Sequence, residues 1–241
     1  MEELYTIPVN DAFDLDTECP VCAMRKALET DAVEFTMGPS YMEDDVRMET
    51  DRIGFCSNHV KLLYQNQNRL GLALMLLTHM DRTRKDLMKL SAAGAKPAGG
   101  LFKKKEVSAV KAYTDKLESS CFVCDRINRI FGRYIATIFH LYQKDKDFVQ
   151  KFRNSKGFCL SHYGLLYEEA GVYLGGRADD FRTELNRIYL ENLKRVRDDL
   201  EWFTDKFDYR YVNEPWKNSK DALIRSILKM NSVEVEEKKA E

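Results

Sequence analysis

One arrangement of cysteines and histidines occurs twice in this chain, and it constrains the fold more than any other feature. The first copy has Cys19-Pro20-Val21-Cys22, followed by Gly54-Phe55-Cys56-Ser57-Asn58-His59. The second copy has Cys121-Phe122-Val123-Cys124, followed by Gly157-Phe158-Cys159-Leu160-Ser161-His162. All six cysteines and two of the four histidines belong to these copies. The same features in the same order indicate an internal duplication.

Each copy supplies three thiols and one imidazole, a ligand set that tetrahedral zinc prefers. Residues three apart share a helix face, so both the Cys-x-x-Cys and the Cys-x-x-His pairs can reach one ion from a helix start. Between the two pairs of a copy the sequence predicts a helix, a turn and a shorter helix, so we expect a hairpin whose ends are joined by its own ion. This predicts about two zinc ions per chain. The expected ligands are Cys19, Cys22, Cys56 and His59 for one ion, and Cys121, Cys124, Cys159 and His162 for the other.

Three other interpretations of the cysteines remain open at this point. An iron–sulfur cluster uses similar residues, although four cysteines are its usual complement. A thioredoxin-like redox pair normally lies near a βαβ pattern, which this sequence lacks. Free cysteines also pack as small apolar residues. Zinc is favoured because the set of three cysteines and one histidine occurs twice with every ligand present.

The periodicity of apolar residues predicts an all-α protein, with two repeated metal-stapled helical hairpins and a long C-terminal helical extension. We expect an N-terminal repeat over residues 1–92 and a linker over 93–106, where the composition is rich in glycine and alanine. A second repeat with the long helix would cover 107–231, and a disordered tail 232–241.

Several element boundaries follow from local signals. Pro8 predicts an extended segment around Tyr5–Val9. A capping box at Ser40 and Glu43 predicts the start of a helix, and one uninterrupted helix is predicted from Cys56 to about Leu87. The other predicted helices cover about 20–35, 107–117, 121–141, a short segment ending near 154, a segment from 159, a long apolar stripe from Phe181 to Phe207, and 219–230.

The charge balance and hydropathy restrict the classes of partner. The net charge is −1, from 38 basic and 39 acidic residues, so no global field favours nucleic acid or an acidic membrane. The first residues lack the basic and apolar regions of a secretory signal. The longest apolar run, Leu72–Leu77, is far shorter than the roughly 20 residues that span a bilayer. We therefore expect a cytoplasmic protein with no membrane partner, in a compartment where thiols stay reduced.

No familiar catalytic motif accompanies the cysteines. The sequence has no Gly-rich phosphate loop, no Gly-x-Ser-x-Gly and no His-Glu-x-x-His, and His79 and His140 lie in helical segments without a motif. The leading interpretation is a zinc-binding, non-enzymatic interaction or adaptor protein with a protein partner and structural metal ions. The alternatives are an iron–sulfur or thiol redox protein and a nucleic-acid-binding zinc protein, for which Lys194-Arg195-x-Arg197 is the candidate basic stripe.

Five motifs of the chain resemble those of an uncharacterised bacterial family, a domain of unknown function. They are Ile7 to Asn10, Cys19 to Cys22, Gly54 to His59, Gly157 to His162, and Lys206 to Tyr209. The resemblance covers nearly the whole chain and supports the predicted metal ligands, but it implies no activity. The second Cys-x-x-Cys lacks the proline of the first, which leaves the ligand assignment unchanged.

Overall fold

The computed structural model describes residues 5–92 and 107–235. Every regular element in these ranges is helical, which confirms the predicted all-α class. The expected linker at 93–106 and the end of the expected tail, 236–241, lie outside the described residues. The α-helices are α1 (Thr6–Asp14), α2 (Pro20–Met37), α3 (Asp44–Ile53), α4 (Ser57–Gln65), α5 (Arg69–Ala92), α6 (Ala109–Glu118), α7 (Phe122–Lys144), α8 (Lys146–Asn154), α9 (Leu160–Leu174), α10 (Ala178–Asp205) and α11 (Ala222–Asn231), with short 3-10 helices at Pro39–Met42 and Gly175–Arg177.

Four helices begin directly after a cysteine, as the sequence predicts. Helix α2 follows Cys19, α4 follows Cys56, α7 follows Cys121 and α9 follows Cys159. A proline is well suited to the first position of a helix, where no backbone N–H is needed, and α2 begins with Pro20. Each Cys-x-x-Cys or Cys-x-x-His pair therefore occupies the first turn of a helix.

The predicted extended segment around Tyr5–Val9 is wrong, because Thr6–Asp14 forms a helix. Pro8 is the third residue of this helix. In the first turn the backbone N–H groups have no partner inside the helix, so a proline there removes no hydrogen bond.

Two other predicted boundaries differ from the structure. Ser40 lies in a 3-10 helix and donates its hydroxyl to the carbonyl of Phe35, so α3 begins after Glu43 without the predicted capping box. The single helix predicted from residue 56 is two helices, because the chain turns at 66–68. Asn68 stabilises this turn by accepting from the N–H of Gly71 at 2.9 Å and donating to the carbonyl of Met37 at 2.8 Å.

The described chain forms two compact units, which are not its two sequential halves. The larger unit contains Met1–Lys26 and Phe131–Glu241, and the inserted unit contains Ala27–Ile130. These bounds differ from the expected division around residues 92 and 107.

Aromatic side chains form the core of the larger unit. Phe152 is buried, with its ring centroid 5.3 Å from that of Phe181 and 5.4 Å from that of Phe158. Phe13 of α1 meets Phe148 of α8 edge-on at 4.9 Å. Helix α10 packs on α9 and α11. Of its predicted apolar stripe, Phe181, Leu185, Ile188 and Val196 are buried, whereas Phe207 lies beyond the helix and is 76% exposed.

The inserted unit is organised around α5, which packs against α3, α4 and α6. Leu72 and Met75 of α5 are buried together with Leu63 of α4 and Ile53 of α3. None of the described helices is both long enough and apolar enough to cross a membrane.

Candidate metal centres

All eight predicted ligands lie in two clusters of four residues. The first centre contains Cys19, Cys22, Cys159 and His162, and the second centre contains Cys56, His59, Cys121 and Cys124. Within each centre the four donor atoms lie within 4.8 Å of one another. The expected pairing is therefore wrong, because each Cys-x-x-Cys joins the Cys-x-x-His of the other copy.

The first centre lies within the larger unit, where the N-termini of α2 and α9 meet. The Nδ1 atom of His162 is 3.4 Å from the sulfur of Cys19, 3.3 Å from that of Cys22 and 3.2 Å from that of Cys159. The sulfurs of Cys22 and Cys159 are 3.6 Å apart. All four side chains are buried.

The second centre lies within the inserted unit, where the N-termini of α4 and α7 meet. The Nδ1 atom of His59 is 3.3 Å from each of the sulfurs of Cys56, Cys121 and Cys124. The sulfurs of Cys56 and Cys124 are 3.9 Å apart. His59 and Cys121 are buried, whereas Cys56 and Cys124 are partly exposed.

These distances fit the edges of a tetrahedron around one zinc ion. Zn–S bonds of about 2.3 Å and Zn–N bonds of about 2.0 Å give S···S edges of about 3.8 Å and S···N edges of about 3.5 Å. The helix N-termini also favour metal binding, since their free N–H groups and dipoles stabilise the thiolates that a metal ion requires. In the first turns, the N–H of Cys22 donates to the sulfur of Cys19 and that of Cys124 to the sulfur of Cys121, at 3.4 and 3.5 Å.

A glycine in the left-handed region precedes each Cys-x-x-His by two residues. Gly54 has φ 65° and Gly157 has φ 81°, a conformation that costs glycine little. At Gly54 a Cβ atom would lie 2.6 Å from Nε2 of His79. The Nδ1 atom of His79 is 2.7 Å from the carbonyl oxygen of Asp51. This histidine therefore contacts the backbone just before Cys56 and is not one of the four residues of the second centre.

Direct hydrogen bonds join the two halves of the second centre. The N–H of Phe122 donates to the carbonyl of Gly54 at 3.0 Å, and the hydroxyl of Ser120 donates to the carbonyl of Ile53 at 2.7 Å. On the outer side of the imidazole, Nε2 of His59 lies 3.0 Å from Oε1 of Glu29. A carboxylate in this position fixes the ring so that Nδ1 faces the sulfurs, an arrangement common around protein-bound zinc.

A buried lysine joins the two halves of the first centre. Lys229 of α11 is 1% exposed, and its ammonium donates to the carbonyl of Glu18 at 2.6 Å and to the carbonyl of Lys156. It also lies 3.0 Å from the carboxylate of Glu18, which pairs with Arg195 at 2.6 Å. The residues before Cys19 and before Gly157 are thus held by one cation.

A hydroxyl group also reaches a sulfur of the first centre. Ser232, which ends α11 with φ 59°, donates to the sulfur of Cys159 at 3.1 Å. The sequence offered no signal for Glu29, Lys229 or Ser232, because none belongs to the repeated motif and each depends on which helices come together.

Charge coupling among the ligands shifts their pKa values. In the first centre, burial opposes protonation of His162, but hydrogen bonds and charge from Cys159 and Cys19 raise its pKa to about 9. Hydrogen bonds from Cys19 and Cys22 lower the pKa of Cys159. The metal-free first centre therefore favours a thiolate on Cys159 beside an imidazolium on His162.

The second centre contains one thiol that is easily ionised and one that is not. Burial and the neighbouring Cys121 and Cys56 raise the pKa of Cys124 to about 12. Burial also opposes ionisation of Cys56, but N–H groups of the α4 N-terminus and hydrogen bonds from Cys121 and Cys124 lower its pKa overall. Metal binding must release the proton of Cys124.

Each cation of the predicted basic stripe forms an ion pair with a carboxylate. Arg195 pairs with Glu18 at 2.6 Å, Lys194 pairs with Asp198, and Arg197 pairs with Glu201 at 2.6 Å. The three predicted cations thus lie beside carboxylates.

Comparisons with known proteins support the resemblance seen in the sequence. Neither the curated proteins nor the solved structures gave a match. A family model matches residues 1–237, and this span includes both copies of the cysteine motif. The chain therefore belongs to the family of unknown function DUF6062.

Proposed function

We propose that this protein binds one zinc ion in each centre, that both ions are structural, and that the protein acts as a non-enzymatic interaction module. The observation that carries the proposal is the convergence of three sulfurs and one Nδ1 atom within 4.8 Å, twice. Four protein ligands fill a tetrahedral zinc ion, so no position remains for a substrate or an activated water.

The size of each centre favours a single ion over an iron–sulfur cluster. A cluster places several metal atoms between its protein ligands and therefore separates them further than one tetrahedral ion does. The sulfur–sulfur distances of 3.6 and 3.9 Å correspond to the single ion, and the histidine of each set suits zinc.

A protein partner is consistent with the surface of α5. Its inner face is buried in the inserted unit, yet Leu70, Leu77 and Met80 are 66%, 57% and 67% exposed. Several large apolar side chains on one exposed helix are typical of an interaction surface. Six free cysteines suit a reducing compartment such as the cytoplasm.

Metal analysis of the purified protein tests this proposal. Elemental analysis should give about two zinc ions per chain, and cobalt substitution should give the absorption of tetrahedral cobalt bound to thiolates. Because ligands are organised only in the folded chain, removal of zinc by a chelator should also reduce thermal stability. Iron and sulfide in place of zinc, or unchanged stability after complete removal of zinc, would contradict the proposal.

A further inference from the structure

We propose that the second centre is a peroxide-responsive site, in which oxidation joins Cys56 and Cys124 as a disulfide and releases the zinc ion, while the first centre keeps its ion. This inference rests on the proposed zinc occupancy. It assigns different tasks to two centres that have the same ligand types.

Access to the sulfurs distinguishes the two centres. Cys56 and Cys124 are partly exposed, whereas Cys19 and Cys159 are 0% exposed and Cys22 is 8% exposed. A small polar oxidant must touch the sulfur that it oxidises, so exposure determines which thiolates react first.

The two accessible sulfurs are also neighbours. They lie 3.9 Å apart, at the N-termini of α4 and α7. A disulfide requires an S–S distance of about 2.05 Å, so the sulfurs must approach by roughly 2 Å. Oxidation of Cys56 to a sulfenic acid removes its thiolate from the ion, which allows the two sulfurs to approach at the ends of the two helices.

The surroundings of the first centre protect its sulfurs. The hydroxyl of Ser232 donates to Cys159, and a hydrogen bond to a thiolate withdraws charge from the attacking lone pair. Lys229 holds the segments that carry Cys19 and Cys159 through the carbonyls of Glu18 and Lys156. We therefore expect the sulfurs of this centre to be oxidised more slowly than those of the second centre.

The chemistry balances with hydrogen peroxide as the oxidant. The thiolate of Cys56 attacks one peroxide oxygen, the O–O bond breaks, and hydroxide leaves, which gives a sulfenic acid on Cys56. The thiolate of Cys124 then attacks that sulfur, forms the S–S bond and displaces a second hydroxide. Two electrons pass from the two thiolates to the peroxide. The ion keeps only His59 and Cys121 as ligands and dissociates as Zn²⁺.

The test treats the zinc-loaded full-length protein with hydrogen peroxide and follows released zinc with a chromophoric indicator. We expect a fast phase that releases about one of the two ions. Peptide mass mapping after alkylation should find a Cys56–Cys124 disulfide, with the cysteines of the first centre still alkylated as thiols. Subsequent reduction and addition of zinc should restore two ions.

Two substitutions in α2 test whether the fast phase comes from the second centre without changing any cysteine. Glu29→Gln removes the carboxylate that fixes the imidazole of His59. The fast phase should then be about tenfold faster, since loss of a carboxylate that bonds to a zinc-binding histidine weakens zinc binding by a similar factor. Glu34→Gln, an exposed position on the same helix, should leave it unchanged. Ser232→Ala should accelerate only the loss of the first centre's ion, which we expect to follow much more slowly than the fast phase.

The zinc content of the untreated protein separates the two proposals. A protein with two ions that loses both at one rate, loses the first centre's ion first, or forms a disulfide with Cys19, Cys22 or Cys159 overturns this inference alone. Retention of both zinc ions in hydrogen peroxide would also overturn it. An untreated protein without zinc overturns the proposed function as well.

Discussion

Pairs of cysteine substitutions can establish which residues share an ion. Cys22→Ser removes one ligand of the first centre, and Cys159→Ser removes another whose sulfur lies 3.6 Å away. The structure predicts that each single variant keeps about one zinc ion and that the double variant also keeps about one, because the second centre remains complete. Cys22→Ser combined with Cys56→Ser should keep none.

The same variants predict a pattern of stabilities. If free zinc is buffered at about 1,000 times the dissociation constant, each occupied centre stabilises the fold by about 4 kcal/mol. The Cys22 and Cys159 substitutions should then cost about 4 kcal/mol together, the same as either alone, whereas Cys22 and Cys56 should cost about 8 kcal/mol. Denaturant unfolding in zinc buffer, with elemental analysis of each variant, measures both quantities.

Pairing within each copy gives the opposite result. The Cys22/Cys159 double variant would then lose both ions, and the Cys22/Cys56 variant would keep one. That outcome would refute the crossed arrangement. Ser57→Ala, at an exposed position between the ligands Cys56 and His59, serves as the control and should keep two ions.

Three further predictions concern single sites. Gly54→Ala should destabilise the protein by more than about 2 kcal/mol in thermal unfolding, because Gly54 has a φ of 65° and faces the imidazole ring of His79. The control Gly164→Ala, which has open space around it in α9, should stabilise the protein by about 0.5 kcal/mol. Equal effects of the two substitutions would contradict the strain predicted at Gly54. Lys229→Met should cost about 3–5 kcal/mol because it leaves two backbone carbonyls without their donor and removes one of the cations beside the buried carboxylate of Glu18. Exposed Lys220→Met should cost less than about 0.5 kcal/mol in the same denaturant titrations. Zinc affinity of the second centre should rise at least about tenfold per pH unit near neutrality, since the pKa of Cys124 is about 12 and binding releases its proton; competition titrations that show no dependence on pH would contradict this.

Local signals in the sequence were sufficient for the secondary structure near the ligands. Helices begin after Cys19, Cys56, Cys121 and Cys159 because a cysteine pair spaced by three and a following apolar period both indicate a helix start. The left-handed glycine at 54 was also predictable, since a helix had to end just before a new one began.

Signals that depend on neighbouring turns were less reliable. Pro8 suggested an extended segment, yet its missing N–H is harmless in the first turn of α1. The break between α4 and α5 depends on Asn68, whose amide bonds across to Met37 of a different helix. No local pattern reveals such a partner.

The sequence by itself determined the all-α class, and it indicated the eight candidate ligands and their grouping as four helix-start pairs. It could not determine which pairs combine, because both copies present the same ligand types at the same spacing and a metal accepts either combination. Tertiary packing decided this. The N–H of Phe122 bonds to Gly54, and Lys229 bonds to the carbonyls of Glu18 and Lys156, so each Cys-x-x-Cys is held beside the Cys-x-x-His of the other copy by contacts that the motif does not contain.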